Sequence, residues 1–222
     1  MADLGTAIRG FLVADAGGND VVLATATGVV STLAVLPARP NPLPFGPPVF
    51  QSVPTSVAVG PDSAYYVSQL TGFPFPPGAA NVYRFDPSTS AVTVAYSGFT
   101  NIIDLAFDQQ GDLLVLQVSS NGLSSTMGPG SGLLLKIDSE TGERTNIVGD
   151  GLLFPGSIAI GPDGTYYVSN RTNVPHGGQV LSITQVPEPS TWMLAIVSAV
   201  CAVRSRVVRD RRRAGPQGTR RG

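Results

Sequence analysis

Cysteine and histidine are almost absent from this chain, which holds only Cys201 and His176. A lone cysteine excludes an intrachain disulfide. Any Ser-His-Asp triad or histidine-rich metal site would have to use His176, which lies in the Gly/Pro-rich segment 173–178. That setting is typical of an exposed loop residue, so the sequence predicts no catalytic residue.

Charged residues are also scarce, at 13% of the chain, and they are unevenly placed. Before Ser190 there are 6 basic and 14 acidic residues, whereas from Ser190 onward there are 8 basic residues and one acidic residue. The formal net charge of −1 therefore hides an acidic body and a basic tail. Because phosphate binding needs a basic face, nucleic acid is an unsuitable partner for the body.

Long apolar runs are missing before residue 190, and no stretch there keeps a helical period. The short apolar runs that do occur favour strands. Three segments repeat the order strand, four-residue turn, strand, with Ala58, Ala106 and Ala159 corresponding at spacings of 48 and 53 residues. A four-stranded unit that recurs about every 50 residues is typical of a β-propeller, whereas a β-sandwich would not explain the repeat.

The predicted fold is therefore an all-β, partial β-propeller of about three to four four-stranded blades, followed by a C-terminal hydrophobic helix. Closed propellers have about four to eight blades, and Met1–Gly18 shows no signal peptide. A misassigned start, a truncated gene and a remnant of a longer protein all remain open as explanations. The predicted divisions are a partial first blade (1–36), a Pro-rich connector (37–53), blades at 54–98 and 99–152, a last incomplete blade (153–184), a sorting segment (186–213) and a disordered tail (214–222).

The tail combines a rigid motif, an apolar run and an arginine cluster. The apolar run 191–203 has 13 residues, and 18 if it is extended to Val208, whereas a spanning helix needs about 20. On hydropathy alone a short buried or interfacial helix stays open. The arginines predict a cytoplasmic membrane stop. The motif residues are Val186, Pro187, Glu188, Pro189, Ser190 and Thr191, and the membrane-stop residues are Arg204, Arg206, Arg209, Arg211, Arg212 and Arg213.

This three-part order resembles the PEP-CTERM sorting signal of Gram-negative bacteria, and all six motif residues match it. The resemblance implies export, a transmembrane segment and processing by an exosortase, a membrane enzyme. The body resembles a second family, ScyD/ScyE, over roughly residues 9–184. The residues that carry this resemblance are 53–62, 68–84 and 97–107, with the Leu70–Gly78 loop as the most specific piece. It implies a propeller fold of the NHL type and an exported setting, but no particular reaction.

One weak metal site can be considered at the predicted mouth of the propeller. Gluconolactonase-like propellers hold a divalent cation there with inward Glu, Asn and Asp residues, and this chain offers Asn101 and Asp104 but no Glu. A structural role for Asp104, satisfying local backbone, is the favoured interpretation. Asp15, Asn19 and Asp20 could form a loop calcium site, although Asp and Asn are ordinary turn residues. We therefore predict no metal and no cofactor, with Ca²⁺ as the alternative.

These patterns predict an exported, surface-targeted, non-catalytic binding or structural propeller. Its expected partners are an exosortase, the membrane through the tail, and an extracellular polymer or protein. The expected locations are an inner-membrane intermediate and then the cell surface or extracellular matrix of a Gram-negative bacterium or cyanobacterium. The alternatives are a metal-dependent, lactonase-like hydrolase and an inactive, N-terminally truncated fragment. The apolar loop Phe73–Pro77 either packs across a blade edge or contacts a ligand.

Overall fold

Every regular element between residues 10 and 184, the part of the chain that the structure describes, is a β-strand. The structure is a computed structural model, and these residues belong to one compact unit, Met1–Thr184. The predicted sorting motif Val186–Thr191, the hydrophobic helix and the arginine cluster lie outside the described residues. Within residues 10–184, no helix is long and apolar enough to cross a membrane. The all-β prediction is confirmed.

Sixteen strands occur within residues 10–184. In chain order they are β1 (Gly10–Asp15), β2 (Asp20–Thr25), β3 (Val30–Val35), β4 (Arg39–Pro40), β5 (Val49–Phe50), β6 (Pro54–Val59), β7 (Tyr65–Gln69), β8 (Ala80–Asp86), β9 (Ala91–Phe99), β10 (Ile102–Phe107), β11 (Leu113–Gln117), β12 (Leu133–Ile137), β13 (Arg144–Val148), β14 (Ser157–Ile160), β15 (Tyr166–Asn170) and β16 (Gln179–Ile183).

The strands form separate antiparallel sheets in which neighbours in sequence are neighbours in space. Two sheets have four strands, β6–β9 and β10–β13, and the sheets β1–β3 and β14–β16 have three strands each. The connector 37–53 holds a small ladder in which Arg39 pairs with Phe50. Meandering sheets of this kind need only short connections, which the Gly- and Pro-rich sequence supplies.

Tight turns join the first two strands in each of the last three large sheets. The same turn position is occupied by Ser63, Gly111 and Gly164, whose φ angles are 62°, 86° and 82°. Glycine accepts positive φ without a steric cost, so two of the three turns use the residue that the geometry favours. The repeated turn explains why the strand–turn–strand pattern is visible in the sequence.

The core lies between consecutive sheets rather than within one. Val21 and Leu36 of the first unit pack against Val67 and Tyr83 of the sheet β6–β9. The two four-stranded sheets meet through an apolar cluster whose buried members are Ala80, Val82, Phe99, Ile102, Leu105, Leu113, Val115, Leu135 and Ile137. A further cluster joins β10–β13 to β14–β16 through Leu114, Leu116, Leu134, Leu152, Ile158, Tyr166 and Val168. Each inner sheet therefore buries both of its faces.

A buried ionic cluster also joins the sheets β10–β13 and β14–β16. Lys136 on β12 places its Nζ 3.0 Å from Asp108 Oδ2 and 2.7 Å from Asp112 Oδ2. The Tyr166 hydroxyl of the next sheet donates to Asp108 Oδ2 at 3.1 Å. The side chain of Asp108 is only 2% exposed, and the backbone N atoms of Gln110 and Asp112 also donate to its Oδ1, so protein groups take the place of water around it.

Candidate functional site

The long loops of the described chain emerge at one end of the sheets, which we call the loop face. In the last three large sheets the first strand ends at a tight turn, so its start lies at the opposite end, where the second strand finishes. The loops 70–79, 118–132 and 171–178 leave from that end. Functional residues concentrate on such loops when a rigid sheet holds them, and the sequence candidates Asn101 and Asp104 lie at the same end.

A repeated backbone feature shapes the loop face. A residue that leads into the first strand of each of the last three sheets has positive φ: 51° at Val53, 48° at Asn101 and 47° at Phe154. Val53 and Asn101 directly precede β6 and β10, and Phe154 lies three residues before β14. These residues are 48 and 53 apart, which is the spacing of the sequence repeat. Left-handed backbone is costly for residues other than glycine, so the surrounding contacts must fix it.

Buried amide side chains provide part of that support. Gln69, Gln117 and Asn170 are the last residues of β7, β11 and β15, and all three are buried. Gln69 Nε2 donates to Ser52 Oγ, next to Val53, at 3.3 Å, and Asn170 Oδ1 accepts from the backbone N of Leu153, next to Phe154, at 2.7 Å. Gln117 Oε1 accepts from the backbone N of Thr100. The sequence analysis missed these three residues, although their shared position at the end of each second strand was a usable signal.

Asn101 is fully buried and joins two loops. Its Nδ2 donates to the backbone oxygen of Leu70 at 2.7 Å and to Thr71 Oγ1 at 3.2 Å. Its Oδ1 accepts from the backbone N of Leu123 at 3.1 Å. Both ends of the amide are thus engaged with protein, which supports a positioning role for Asn101 in the loop face.

Asp104 joins neighbouring sheets. Its Oδ1 accepts from the backbone N of Leu105 at 2.9 Å, and its Oδ2 accepts from the backbone N of Ile158 at 2.9 Å. Ile158 lies on β14, so this carboxylate links the first strands of two consecutive sheets. Thr55 makes the preceding link, because its Oγ1 donates to the backbone oxygen of Ile102 on β10 at 3.0 Å. Neither link between sheets could be read from local sequence.

The other sequence candidates lie in loops or at strand ends and make structural contacts. His176 is exposed, at a φ of 57° in the loop 171–178. Asp15 Oδ1 accepts from the backbone N of Gly17 at 2.9 Å, and Asn19 Oδ1 accepts from the backbone N of Val53 at 2.9 Å. Asp20 Oδ2 accepts from the Thr32 hydroxyl at 3.0 Å. Among the residues that the structure describes, no group of three or more His, Cys, Asp or Glu side chains is placed to hold a metal ion.

Three phenylalanines form a cluster on the loop face, which we call the aromatic loop patch: Phe45, Phe73 and Phe75, of which Phe75 is half-buried. The ring centroids of Phe45 and Phe73 are 6.4 Å apart and those of Phe73 and Phe75 are 6.1 Å apart, both edge-on. Phe45 is 49% and Phe73 is 52% exposed. Edge-on aromatic pairs of this kind stabilise each other while leaving ring surface free for contact.

The patch is held by close packing of its loops. Pro74 and Pro76, which flank Phe75 in sequence, are buried. A Cβ added to Gly122 would lie 3.0 Å from the backbone oxygen of Phe75, so the loops 70–79 and 118–132 touch. In the loop Phe73–Pro77, Pro74 and Pro76 are thus buried, as packing across a blade edge requires, while Phe73 and Pro77 are exposed. Ligand contact by this loop stays a prediction.

Comparison with solved structures defines the class of the fold. The chain is similar to a gluconolactonase from Xanthomonas campestris, at 15% identity and a TM-score of 0.55, covering 79% of this chain and 54% of that one. The described residues thus have a β-propeller fold. The chain spans about half the length of this solved structure. At this identity the likeness concerns the fold alone.

Two further solved structures show weaker similarity. One is a virginiamycin B lyase from Staphylococcus aureus, at 14% identity and a TM-score of 0.46, covering 78% of this chain and 50% of that one. The other is described as a putative gluconolactonase, at 13% identity and a TM-score of 0.48, covering 85% of this chain and 67% of that one. No protein-family model and no curated protein matches the sequence. The resemblances to ScyD/ScyE and to PEP-CTERM signals stay predictions.

Proposed function

We propose that this chain is an exported, surface-targeted β-propeller that binds an extracellular polymer without transforming it. The observation that carries the proposal is the aromatic loop patch, where Phe45 and Phe73 present ring surface on tightly packed loops. Exposed apolar surface that tightly packed loops hold in a fixed position is typical of a binding site. Polysaccharide is the favoured polymer, because the C–H faces of sugar rings stack against aromatic rings.

The polar residues of the loop face support binding rather than catalysis. Both oxygens of Asp104 accept backbone hydrogen bonds, and Asn101 uses its oxygen and its nitrogen within the protein. A general base or a metal ligand at Asp104 would have to share its lone pairs with these donors. We therefore retain the interpretation that Asp104 has a structural role and satisfies backbone donors.

The tail provides the proposed route to the surface. Export would place the motif Val186–Thr191 before an exosortase, while the segment 191–203 holds the chain in the inner membrane and the arginines from Arg204 to Arg213 stay in the cytoplasm. The end product would be a propeller at the cell surface or in the extracellular matrix.

Titration of the full chain, purified in detergent, with a panel of soluble polysaccharides tests the binding proposal. We expect saturable binding to at least one polysaccharide and a loss of affinity of about tenfold or more in Phe45→Ala and Phe73→Ala, because each removes exposed ring surface. Met127→Ala is the matched control, since Met127 is 86% exposed on the neighbouring loop 118–132 and lies outside the patch. Equal losses in all three variants would contradict the assignment of the patch.

The second candidate is a metal-dependent, lactonase-like hydrolase that uses Asp104 and Asn101. The similarity of the fold to a gluconolactonase favours it. Metal analysis after incubation with Ca²⁺, together with a lactone-hydrolysis screen, separates the two functions. Stoichiometric metal with turnover that disappears in Asp104→Asn would overturn the binding proposal, because this replacement keeps the shape of the side chain but removes its charge.

A further inference from the structure

The sheet β1–β3 leaves one of its faces uncovered. Phe11, Val13 and Val30 are 64%, 42% and 64% exposed, whereas the alternating residues Val21 and Leu23 are buried against the next sheet. The strand register aligns the exposed side chains in rows across the sheet. The first row is Phe11–Ala24–Val30 and the second row is Val13–Val22–Thr32, and together they form what we call the first open face.

The sheet β14–β16 leaves the opposite type of face uncovered. Tyr167 is 39% and Val180 is 72% exposed, while Tyr166 and Val168 on the other side of the same strand are buried. Here too the exposed side chains form rows. These rows are Ala159–Tyr167–Ser182 and Ser157–Ser169–Val180, and together they form what we call the last open face.

The last open face repeats a face that is buried elsewhere in the same chain. The corresponding rows of the sheet β6–β9 are Ala58–Tyr66–Arg84 and Ser56–Ser68–Val82. Only the third position of the first row differs, where Ser182 stands in place of Arg84. In the sheet β6–β9 these residues pack against β10–β13: Val82 is fully buried, and the Tyr66 ring meets Phe107 edge-on at 4.9 Å.

The first open face carries the residue types that form the opposite half of a sheet-to-sheet contact of this kind. Phe11 and Val13 correspond in sequence to Tyr65 and Val67 on β7. Their further counterparts are Leu113 and Val115 on β11 and Tyr166 and Val168 on β15. In the three later sheets these positions are at most 4% exposed, because the preceding sheet covers them. Residues 10–184 thus carry one uncovered face of each type.

We propose that two copies of this chain associate head to tail, with the last open face of one copy packed on the first open face of the other. The contact would repeat the packing already present between β6–β9 and β10–β13, so equivalent side-chain contacts already exist within this chain. Such a heterologous contact can close a ring or extend into a chain of copies, depending on its rotation. This proposal is independent of what the aromatic loop patch binds.

Single replacements on each face, made in the full chain in detergent, test the pairing. Light scattering should show that the protein mass of the unaltered chain rises with concentration. Every contact needs one first open face and one last open face. Phe11→Lys puts a charge on the first and Tyr167→Lys on the last, so each variant should stay monomeric. An equimolar mixture of the two variants should give 1:1 pairs that do not grow further, since each variant supplies the face that the other lacks.

Met127→Lys is the matched control, because it adds the same charge at an exposed apolar residue outside both faces, and it should associate like the unaltered chain. Thermal melts of all variants check that the exposed replacements leave the fold intact. Three results would overturn the proposal: an unaltered chain that is monomeric at every concentration, association that both face variants leave unchanged, or self-pairing of one face variant, which would indicate like-to-like contact.

Discussion

Replacing Lys136 with Met should destabilise the fold strongly, because it leaves two carboxylates without their shared cation. Lys136 Nζ lies 3.0 Å from Asp108 Oδ2 and 2.7 Å from Asp112 Oδ2, and the two carboxylate side chains are 2% and 10% exposed. Met has a similar length and removes only the charge and its hydrogen bonds. The Tyr166 hydroxyl would still donate to Asp108, but a neutral donor does not balance a buried charge.

The expected cost follows from this burial. Removing one partner of a buried ion pair costs about 3–5 kcal/mol of folding stability. The Lys136 side chain is 20% exposed, so water reaches the cluster, and we expect a loss at the lower end, about 3 kcal/mol. For a unit of this size that corresponds to a fall of roughly 6–12 °C in Tm. Urea and thermal unfolding followed by circular dichroism would measure both quantities.

The pH dependence gives a second signature. Burial alone would raise the pKa of Asp112, but hydrogen bonds from Lys136 and from the backbone N of Ser139 outweigh it and lower that pKa below its ordinary value of 3.8. The resulting stability is present above pH 4 and is lost as pH falls through the lowered pKa. Partnership with the two carboxylates raises the pKa of Lys136 against the effect of burial, so its contribution is complete at neutral pH. The difference between Lys136→Met and the unaltered chain should therefore be largest near pH 7 and narrow in strong acid.

Arg84→Met is the matched control for this experiment. Arg84 occupies the corresponding position on β8, and its contacts to Asp62 and Asp86 are solvent-exposed, with side-chain exposures of 31% for Arg84 and 39% for Asp62. Exposed pairs contribute little to stability, so this variant should unfold close to the unaltered chain. Equal losses in the two variants, or a Lys136→Met effect that does not change with pH, would refute the argument from burial.

Three further outcomes are expected. Gly164→Ala should lower the free energy of unfolding in urea by about 1 kcal/mol, because Gly164 has a φ of 82°, which alanine adopts only with strain, and no atom lies near the added Cβ. Gly149→Ala is the control: it has the same open space and no positive φ, so it should not lower stability. Asn101→Ala should lower the free energy of unfolding by about 1–3 kcal/mol in the same measurement, because it removes the hydrogen bonds to partly buried backbone groups of Leu70 and Leu123; an unchanged midpoint would contradict its positioning role. A reporter that is active only in the cytoplasm, fused after Gly222 in an exported form of the chain, should be active, and a silent reporter would count against the proposed tail topology.

The strands could be predicted from sequence where a strand and the turn that follows it recur as one short pattern. The three corresponding alanines of the sequence repeat, Ala58, Ala106 and Ala159, lie on the first strands β6, β10 and β14 of successive sheets. Turn chemistry explains this success, since Gly111 and Gly164 mark the same turn in two sheets. The ladder that pairs Arg39 with Phe50 was missed because two-residue strands in a Pro-rich segment carry no period.

The candidate site was harder to predict because its contacts are distant in sequence. The carboxylate of Asp104 reaches the backbone of Ile158, and that of Asp108 reaches Tyr166, across more than fifty residues in each case. A sequence pattern shows that these residues are polar and regularly placed, but only the packing of one sheet on the next decides which donor they meet. The exposure of Phe73 beside buried prolines is a result of the same packing.

The two proposed surfaces can be tested separately because they occupy different elements. The aromatic loop patch lies on loops before β6 and after β7, whereas Phe11 and Tyr167 lie within β1 and β15. A charge at Tyr167 changes a strand position whose counterpart, Tyr66, is covered by a neighbouring sheet, and it leaves the ring contact between Phe45 and Phe73 unaltered. If polysaccharide binding depended on paired copies, the Phe11→Lys and Tyr167→Lys variants would lose it together with association. If they bind normally as monomers, the loop face is sufficient by itself.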